Sequence, residues 1–172
     1  MRRGRIGLIH ASREVAAKAL RSGGVVLVYP GGVYDSYRPT LTQNVVDFSG
    51  RTGYVRTAME ADVPIVPAVS IGGQESQLFL TRGTWLANRL GLRRLRSDIL
   101  PLTLGFPFGL SVIVPANLPL PTKIVTRALE PIDVDMRFGD NSDIGEVDAY
   151  VRSMMQTALD RLARQRRFPV LG

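Results

Sequence analysis

The sequence predicts an α/β domain with a mostly parallel central sheet flanked by helices. Three observations predict it. A helix-like stretch, an apolar run, a second helix-like stretch and a second apolar run follow one another within residues 12–73. The first apolar run, "VVLVY" (25–29), is continuous rather than alternating, as in strands covered on both faces. The segment between the two runs is long enough for the crossover that parallel strands require. With 172 residues, 45% hydrophobic and 22% charged, the chain has material for one folded domain over 1–172.

Each element has its local reason. "SREVAAKALRSGG" (12–24) reads as a helix, with Ser12 placed to cap it, alanines and Leu20 filling it and Gly23 closing it. "VVLVY" follows as a buried strand. "GRTGYVRTAMEAD" (50–62) sets Val55, Ala58 and Met59 at helical spacing. "VPIVPAVSIGG" (63–73) is the next strand, confined by Pro64 and Pro67 to an edge or to strand ends. "TRGTWLANRLGLRRLRSD" (81–98) reads as a basic helix. Residues 99–122 carry no charge, but five prolines and two glycines argue against a spanning helix there. That stretch reads as loop, short strand ("LSVIVP") and loop, and "KIVTRALEPIDV" (123–134) as a further strand. "DIGEVDAYVRSMMQTALDRLARQRR" (143–167) is the clearest helix, with a stripe through Val147, Val151, Met155, Ala158 and Leu162. Asp143 and Glu146 resemble a capping box at its start.

Composition narrows the chemistry. There is no cysteine and one histidine, His10, which excludes disulfides, cysteine nucleophiles and the usual zinc sites. No metal is expected. The net charge is +7, and 20 of the 22 basic residues are arginine, whose planar fork suits phosphate. Anionic partners fit that balance, and so does a solvated basic face. Nucleic acid is not expected, because no recognised binding motif accompanies the arginines and they are spread over several segments. "MRRGRIGLIH" lacks the apolar core of a signal peptide.

The loop "PGGVYDSYRP" (30–39) is the strongest candidate site. It lies at the carboxyl end of the first predicted strand, where open α/β sheets place ligands. Gly31 and Gly32 would let a ligand approach backbone amides, with Arg38, Arg51 and Arg56 following along the chain. A charge-assisted hydrogen bond contributes about 1.5–3 kcal/mol, so two or three to one phosphate would offset much of the cost of ordering glycine. The same residues also fit a tight turn with solvent-facing arginines. The loop is neither a P-loop nor a dinucleotide fingerprint, since the lysine and the third glycine are missing.

The run from "GGVVLVYPGGVYDSYRP" through "GRTGYVRTAMEADVPIVPAVSIGGQE" resembles the glycerophospholipid acyltransferase superfamily, in particular its diacylglycerol-acyltransferase-like bacterial members. Pro30-Gly31-Gly32 stands in for the third family motif, Gly53 with Arg56 for its basic helix, and Val63 to Pro67 for its fourth motif. The resemblance implies transfer of a fatty acyl group from a thioester, acyl-CoA or acyl carrier protein, to a glycerolipid or glycerol-phosphate-type hydroxyl. It implies acceptor binding at Pro30-Gly31-Gly32. Joined with the spacing of the arginines, this makes Gly31 and Gly32 the expected amide donors to the acceptor and Arg38, Arg51 and Arg56 its expected clamp, with Pro64 and Pro67 shaping the neighbouring strand. No separate cofactor is implied.

The family's catalytic motif, His-x-x-x-x-Asp, is missing. His10 is followed five places later by Val15, and the chain aligns from about the second motif onward. His10 with Glu14 is a weak substitute, because Ser12 as cap leaves His10 ahead of the helix. The expectation is therefore an acyltransferase-like domain lacking its N-terminal part, with a non-catalytic headgroup- or membrane-binding module as the alternative. Either an N-terminally shortened sequence or a degenerate relative would account for the gap. An uncovered sheet edge prone to self-pairing follows from the first.

A peripheral place on the cytoplasmic membrane face is also expected. "LFLTRGTWLANRLGLRRLR" interleaves Trp85, Leu86, Leu90 and Leu92 with Arg82, Arg89, Arg93, Arg94 and Arg96. That pattern suits a helix lying in an anionic interface, and equally a core helix with a basic outer face. "LGFPFGLSVIVP" is a candidate acyl-chain entry.

Overall fold

The apolar stripe near the C-terminus forms the longest element, and the rest of the core is assembled on it. The structure, a computed structural model, describes residues 12–92, 99–112, 117–139 and 141–166. Six helices and five short strands lie among them: α1 (Arg13–Arg21), α2 (Gly32–Ser36), α3 (Gly53–Ala61), β1 (Ala68–Ile71), β2 (Leu78–Thr81), α4 (Thr84–Arg89), β3 (Leu102–Gly105), β4 (Gly109–Ser111), β5 (Val125–Ala128), α5 (Val134–Phe138) and α6 (Ile144–Gln165). Asp143 caps α6, its carboxylate accepting from the Glu146 amide at 3.0 Å, a contact that contributes about 1 kcal/mol.

One face of α6 serves two clusters. Val147 and Val151 pack with Val55 of α3, Ile132 and Val134. Two to three turns beyond Val151, Ala158, Leu159 and Leu162 cover Val69 and Ile71 of β1. Each fully buried Val or Leu contributes about 1.5–3 kcal/mol, so α6 is the element whose loss would dissolve both clusters. Helix α1 lies against α3, with Ala17 fully buried and an exposed Arg21–Glu60 pair at the rim. Ser12 is the N-cap of α1 by position, with no side-chain bond to the helix.

The expected parallel central sheet is not formed. The chain is an α/β fold with two small sheets, ordered β1-β5 and β2-β3-β4, and every strand pair is antiparallel among the described residues. Two physical reasons explain the correction. First, "VVLVY" enters no ladder among the described residues: Val25 is 99% exposed and Leu27 74%. Without that strand the crossover through α3 has nothing to connect. Second, Pro64 and Pro67 shorten the following strand to four residues, Ala68–Ile71, preceded by one isolated bridge, Ile65 to Ile132. The partner of β1 is β5, paired from Ala68↔Ala128 to Ile71↔Val125, with Ser70 and Thr126 hydroxyls 2.7 Å apart.

The charge-free stretch supplies two strands of the second sheet, β3 and β4. A three-residue turn, 106–108, joins β3 to β4, which allows only antiparallel pairing. Phe79 and Thr103 are register partners on its buried face. Of the predicted helix over 81–98, Thr84–Arg89 (α4) is helical, Leu90 caps it and Gly91 follows at φ +68°, while Arg93, Arg94 and Arg96 lie outside the described residues. So does most of "VIVP".

Candidate functional site

The turn after "VVLVY" is tightly self-contained. Gly32 has φ +52°, a conformation that favours glycine, and its amide bonds the Tyr29 carbonyl at 3.1 Å. Gly31 is buried, and a Cβ there would collide with the Asp35 side chain. Its missing side chain therefore first serves the turn.

The three predicted arginines fall in different environments. Arg51 reaches the turn: its Nη1 donates to the Gly31 carbonyl at 2.6 Å and the Pro30 carbonyl at 3.3 Å, while the residue stays exposed. Arg38 is turned inward, 2% exposed. It pairs with Asp35 Oδ1 at 2.5 Å and donates to the carbonyls of Val45 and of Asp47, so its guanidinium closes the loop on itself. Arg56 stands exposed on the first turn of α3, with no ion pair or hydrogen bond from its side chain among the described residues. The structure thus brings Gly31, Gly32 and Arg51 together, sets Arg38 behind them and leaves Arg56 on the neighbouring helix. His10 lies outside the described residues. Pro64 borders a small cavity between α3 and α5, and the buried Pro67 accepts from the Leu129 amide at 2.8 Å.

Further polar contacts fix the loop from outside. Gln74 Nε2 donates to the Asp35 carbonyl at 2.8 Å, and Arg82 stacks on the Tyr34 ring at 3.8 Å while donating to the Tyr34 carbonyl. Gln156 of α6 grips the Val46 amide and the Asn44 carbonyl. Glu75 and Arg166 form a nearly buried pair at 2.7 Å, with Gln43 touching the same carboxylate. The sequence reading missed these partners. The "GGQE" at the end of the β1 segment was the available signal, a glutamine and a carboxylate beside two glycines.

A second buried polar group ties α3 to α6. Tyr54 donates to Asp148 Oδ1 at 2.8 Å, and Arg152 Nε donates to Asp148 Oδ2 at 2.7 Å. Burial of the phenol and its bond to the Asp148 carboxylate push the Tyr54 pKa well above the ordinary tyrosine value. The i,i+4 spacing of Asp148 and Arg152 was its only trace in the sequence.

A groove of about 380 Å³ runs between β5 and α6, bordered by Arg127, Glu130, Met154, Thr157 and Arg161. Neither this groove nor the small cavity near Pro64 is lined by Gly31 or Gly32. Among the described residues no group of three or more His, Asp or Glu could hold a metal ion, and no helix is long and apolar enough to cross a membrane. Trp85 and Leu90 are each 59% exposed, while Ala87 between them is buried.

Residues 1–71 match the Acyltransferase family. The chain is 30% identical over 121 residues, 70% of its length and 35% of the relative's, to a Bos taurus protein named "DGAT1/2-independent enzyme synthesizing storage lipids". The Mus musculus protein of the same name is 30% identical over the same length, 36% of its own. An uncharacterized Mycobacterium tuberculosis protein is 31% identical over 156 residues, 88% of this chain and 41% of the relative. The chain thus spans about a third to two-fifths of the curated relatives it matches. No solved structure matches it significantly.

Proposed function

The chain belongs to the acyltransferase family, and from that premise we propose that it binds the acceptor in transfer of a fatty acyl group to a hydroxyl. The donor is an acyl thioester, acyl-CoA or acyl carrier protein, and the acceptor a glycerolipid or a glycerol phosphate. The acceptor oxygen attacks the thioester carbonyl as a base takes its proton. The C–S bond breaks, and the thiolate leaves and takes up a proton. In this reading the turn at Gly31 and Gly32 positions Arg51 for the acceptor's phosphate or headgroup, and Arg51 and Arg56 meet its charge. Arg38 holds the loop in shape from behind.

The observation that carries the reading is the contact of Arg51 with the Gly31 carbonyl. It sets an exposed guanidinium on the turn that stands in for the family's acceptor motif, inside the matched span 1–71. A second reading, a headgroup-binding module without catalysis, is favoured by one feature. The sequence holds a single histidine and no His-x-x-x-x-Asp, and a positioned general base typically supplies 10²–10⁴-fold in rate.

One set of assays tests both. Labelled acyl-CoA is offered with glycerol 3-phosphate, lysophosphatidic acid or diacylglycerol, and binding of each acceptor is measured alongside. The transfer reading expects product with at least one acceptor. Binding without product supports the module, as does a coding region upstream of Met1 with no in-frame His-x-x-x-x-Asp. Arg51→Ala and Arg56→Ala should each weaken a phosphate-bearing acceptor about tenfold or more, the scale of one charge-assisted bond. Unchanged binding in both would remove the acceptor assignment.

A further inference from the structure

The "GGQES" turn after β1, residues 72–76, is set firmly on the segment that leads into β5. Gly72 is buried at φ +110°, and a Cβ there would collide with the Lys123 carbonyl. Thr122 Oγ1 donates to the Gly72 carbonyl at 2.8 Å, and the Leu120 amide donates to the Ser76 carbonyl at 2.7 Å. Ser76 Oγ closes the turn on the Gly73 carbonyl at 2.6 Å. From this base two side chains reach the loop that carries the glycine turn. Gln74 Nε2 donates to the Asp35 carbonyl at 2.8 Å, and the Glu75 carboxylate accepts from Gln43 Nε2 at 3.4 Å.

Asp35 is where that support meets the candidate site. Its Oδ1 holds the Arg38 guanidinium, and its side chain lies where a Cβ on the buried Gly31 would stand. The Asp35 amide bonds the Gly31 carbonyl at 3.4 Å, and the same oxygen receives Arg51 Nη1 at 2.6 Å. A path of contacts therefore runs from Gln74 through Asp35 and Gly31 to Arg51, the exposed guanidinium of the turn. Glu75 ties the base of that path to the end of α6. Arg166, the C-cap of the helix, donates to the Glu75 carboxylate at 2.7 Å and to the Lys123 carbonyl at 3.3 Å. Both side chains of the pair have left solvent, Arg166 at 10% and Glu75 at 6% exposure. Two ions desolvated to that degree stabilise a fold little more than apolar side chains of the same size would.

We propose that Gln74 and Glu75 are positioning residues for the glycine turn, with Arg166 holding them in register from the end of α6. Neither is assigned a ligand contact. Gln74 fixes Asp35, and through it the placement of Gly31 and Arg51; Glu75, locked by Arg166, fixes the base from which Gln74 reaches. The inference deepens the acceptor-binding reading above and rests on it for the effect on binding. The effect on the turn itself does not depend on what the turn binds, so the two can fail separately.

Two measurements on the purified full chain test it: hydrogen exchange read by mass spectrometry over residues 30–40, and calorimetric binding of glycerol 3-phosphate. In Gln74→Ala, exchange over 30–40 should quicken about fivefold and glycerol 3-phosphate should bind about fivefold more weakly, the scale of one neutral hydrogen bond. Peptides of α6 should exchange as in the parent. Gln74→Glu keeps the size of the side chain and loses the donor, so it should behave as Gln74→Ala does. Glu75→Gln/Arg166→Gln, which leaves neither charge buried alone, should also quicken exchange over 30–40, whereas Arg166→Lys, which keeps the charge, should restore the parent's rate. A support that acts through Arg51 is not additive with it: in an Arg51→Ala background, Gln74→Ala should weaken binding by less than about twofold. Parent-like exchange over 30–40 in both Gln74 variants overturns the proposal, and so does an undiminished further loss of binding in the Arg51→Ala background. If the parent chain binds no glycerol 3-phosphate, the acceptor reading falls, and the exchange comparison alone decides whether Gln74 and Glu75 position the turn.

Discussion

Two segments of similar composition meet opposite fates. "AVSI" in β1 and "VVLVY" before the glycine turn are both rich in β-branched residues. Val69 and Ile71 are 5% and 6% exposed, whereas Val25 and Leu27 are 99% and 74% exposed. The difference lies in what surrounds each. β1 has a ladder partner in β5 and a lid in Leu159 and Leu162 of α6. Residues 25–29 have neither among the described residues, and their first firm anchor is the Tyr29 carbonyl in the glycine turn. Strand propensity records a fit to a pleated, half-buried surface, so it is silent where no such surface is offered.

The largest expected effect sets a charge in each place. Val147→Asp puts a carboxylate among Val55, Val134 and Val151, at a cost of about 3 kcal/mol or more. Urea denaturation should show a loss of that size or no folded state at all. Val25→Asp should stay within about 0.5 kcal/mol, as exposed substitutions do. Proline sharpens the same contrast at the level of the main chain. Val69→Pro, opposite Arg127 in the ladder, should cost about 3 kcal/mol, and Val28→Pro close to nothing. Equal losses at the two sites would mean that residues 25–29 are paired in solution.

The Tyr54–Asp148–Arg152 group comes next in size. Asp148→Ala leaves a buried phenol and a guanidinium without their acceptor, a loss of about 1–3 kcal/mol in urea. The same group gives a pH dependence. Tyr54 is held protonated in the fold, its pKa raised chiefly by burial and then by the Asp148 bond. Unfolded tyrosine loses its proton near pH 10. Below that pH both states are neutral and the phenol's contribution is fully present. Above it the unfolded chain releases a proton that the folded chain keeps, so stability falls as pH rises. Urea midpoints from pH 8 to 11 should drop more steeply in the parent chain than in Tyr54→Phe. Parallel slopes would place Tyr54 outside the buried pair.

How far the sequence was legible follows the same division. The α6 stripe and its Asp143 cap were readable because a 3.6-residue period and a cap are local facts. Helices α1 and α3 were readable for the same reason. The sheets were not, because pairing depends on a distant partner: β1 joins β5 some 55 residues later, and no pattern within β1 names it. Strands β2 and β3 were hidden differently, since leucines face outward in both and a threonine faces inward in β3, the reverse of the polar-out alternation by which a strand is read. At the glycine turn the residue types were legible and their orientations were not. Arg38 and Arg51 look alike in sequence, and only the Asp35 carboxylate and the Val45 and Asp47 carbonyls draw the first inward.

The smallest expected change in stability falls on the bare segment itself. Leu27→Lys exchanges an exposed apolar side chain for an exposed charge, and folding free energy should move by less than about 0.5 kcal/mol. Its effect belongs to association instead. An apolar run with no ladder partner among the described residues is a template for a second strand, and a lysine on such an edge opposes pairing by bringing like charges together. Light scattering of the parent chain should rise with concentration and time, and Leu27→Lys should slow that rise with an unchanged urea midpoint. If instead the midpoint drops with the substitution, Leu27 is covered in solution, and the contrast between the two segments is one of partner rather than of burial.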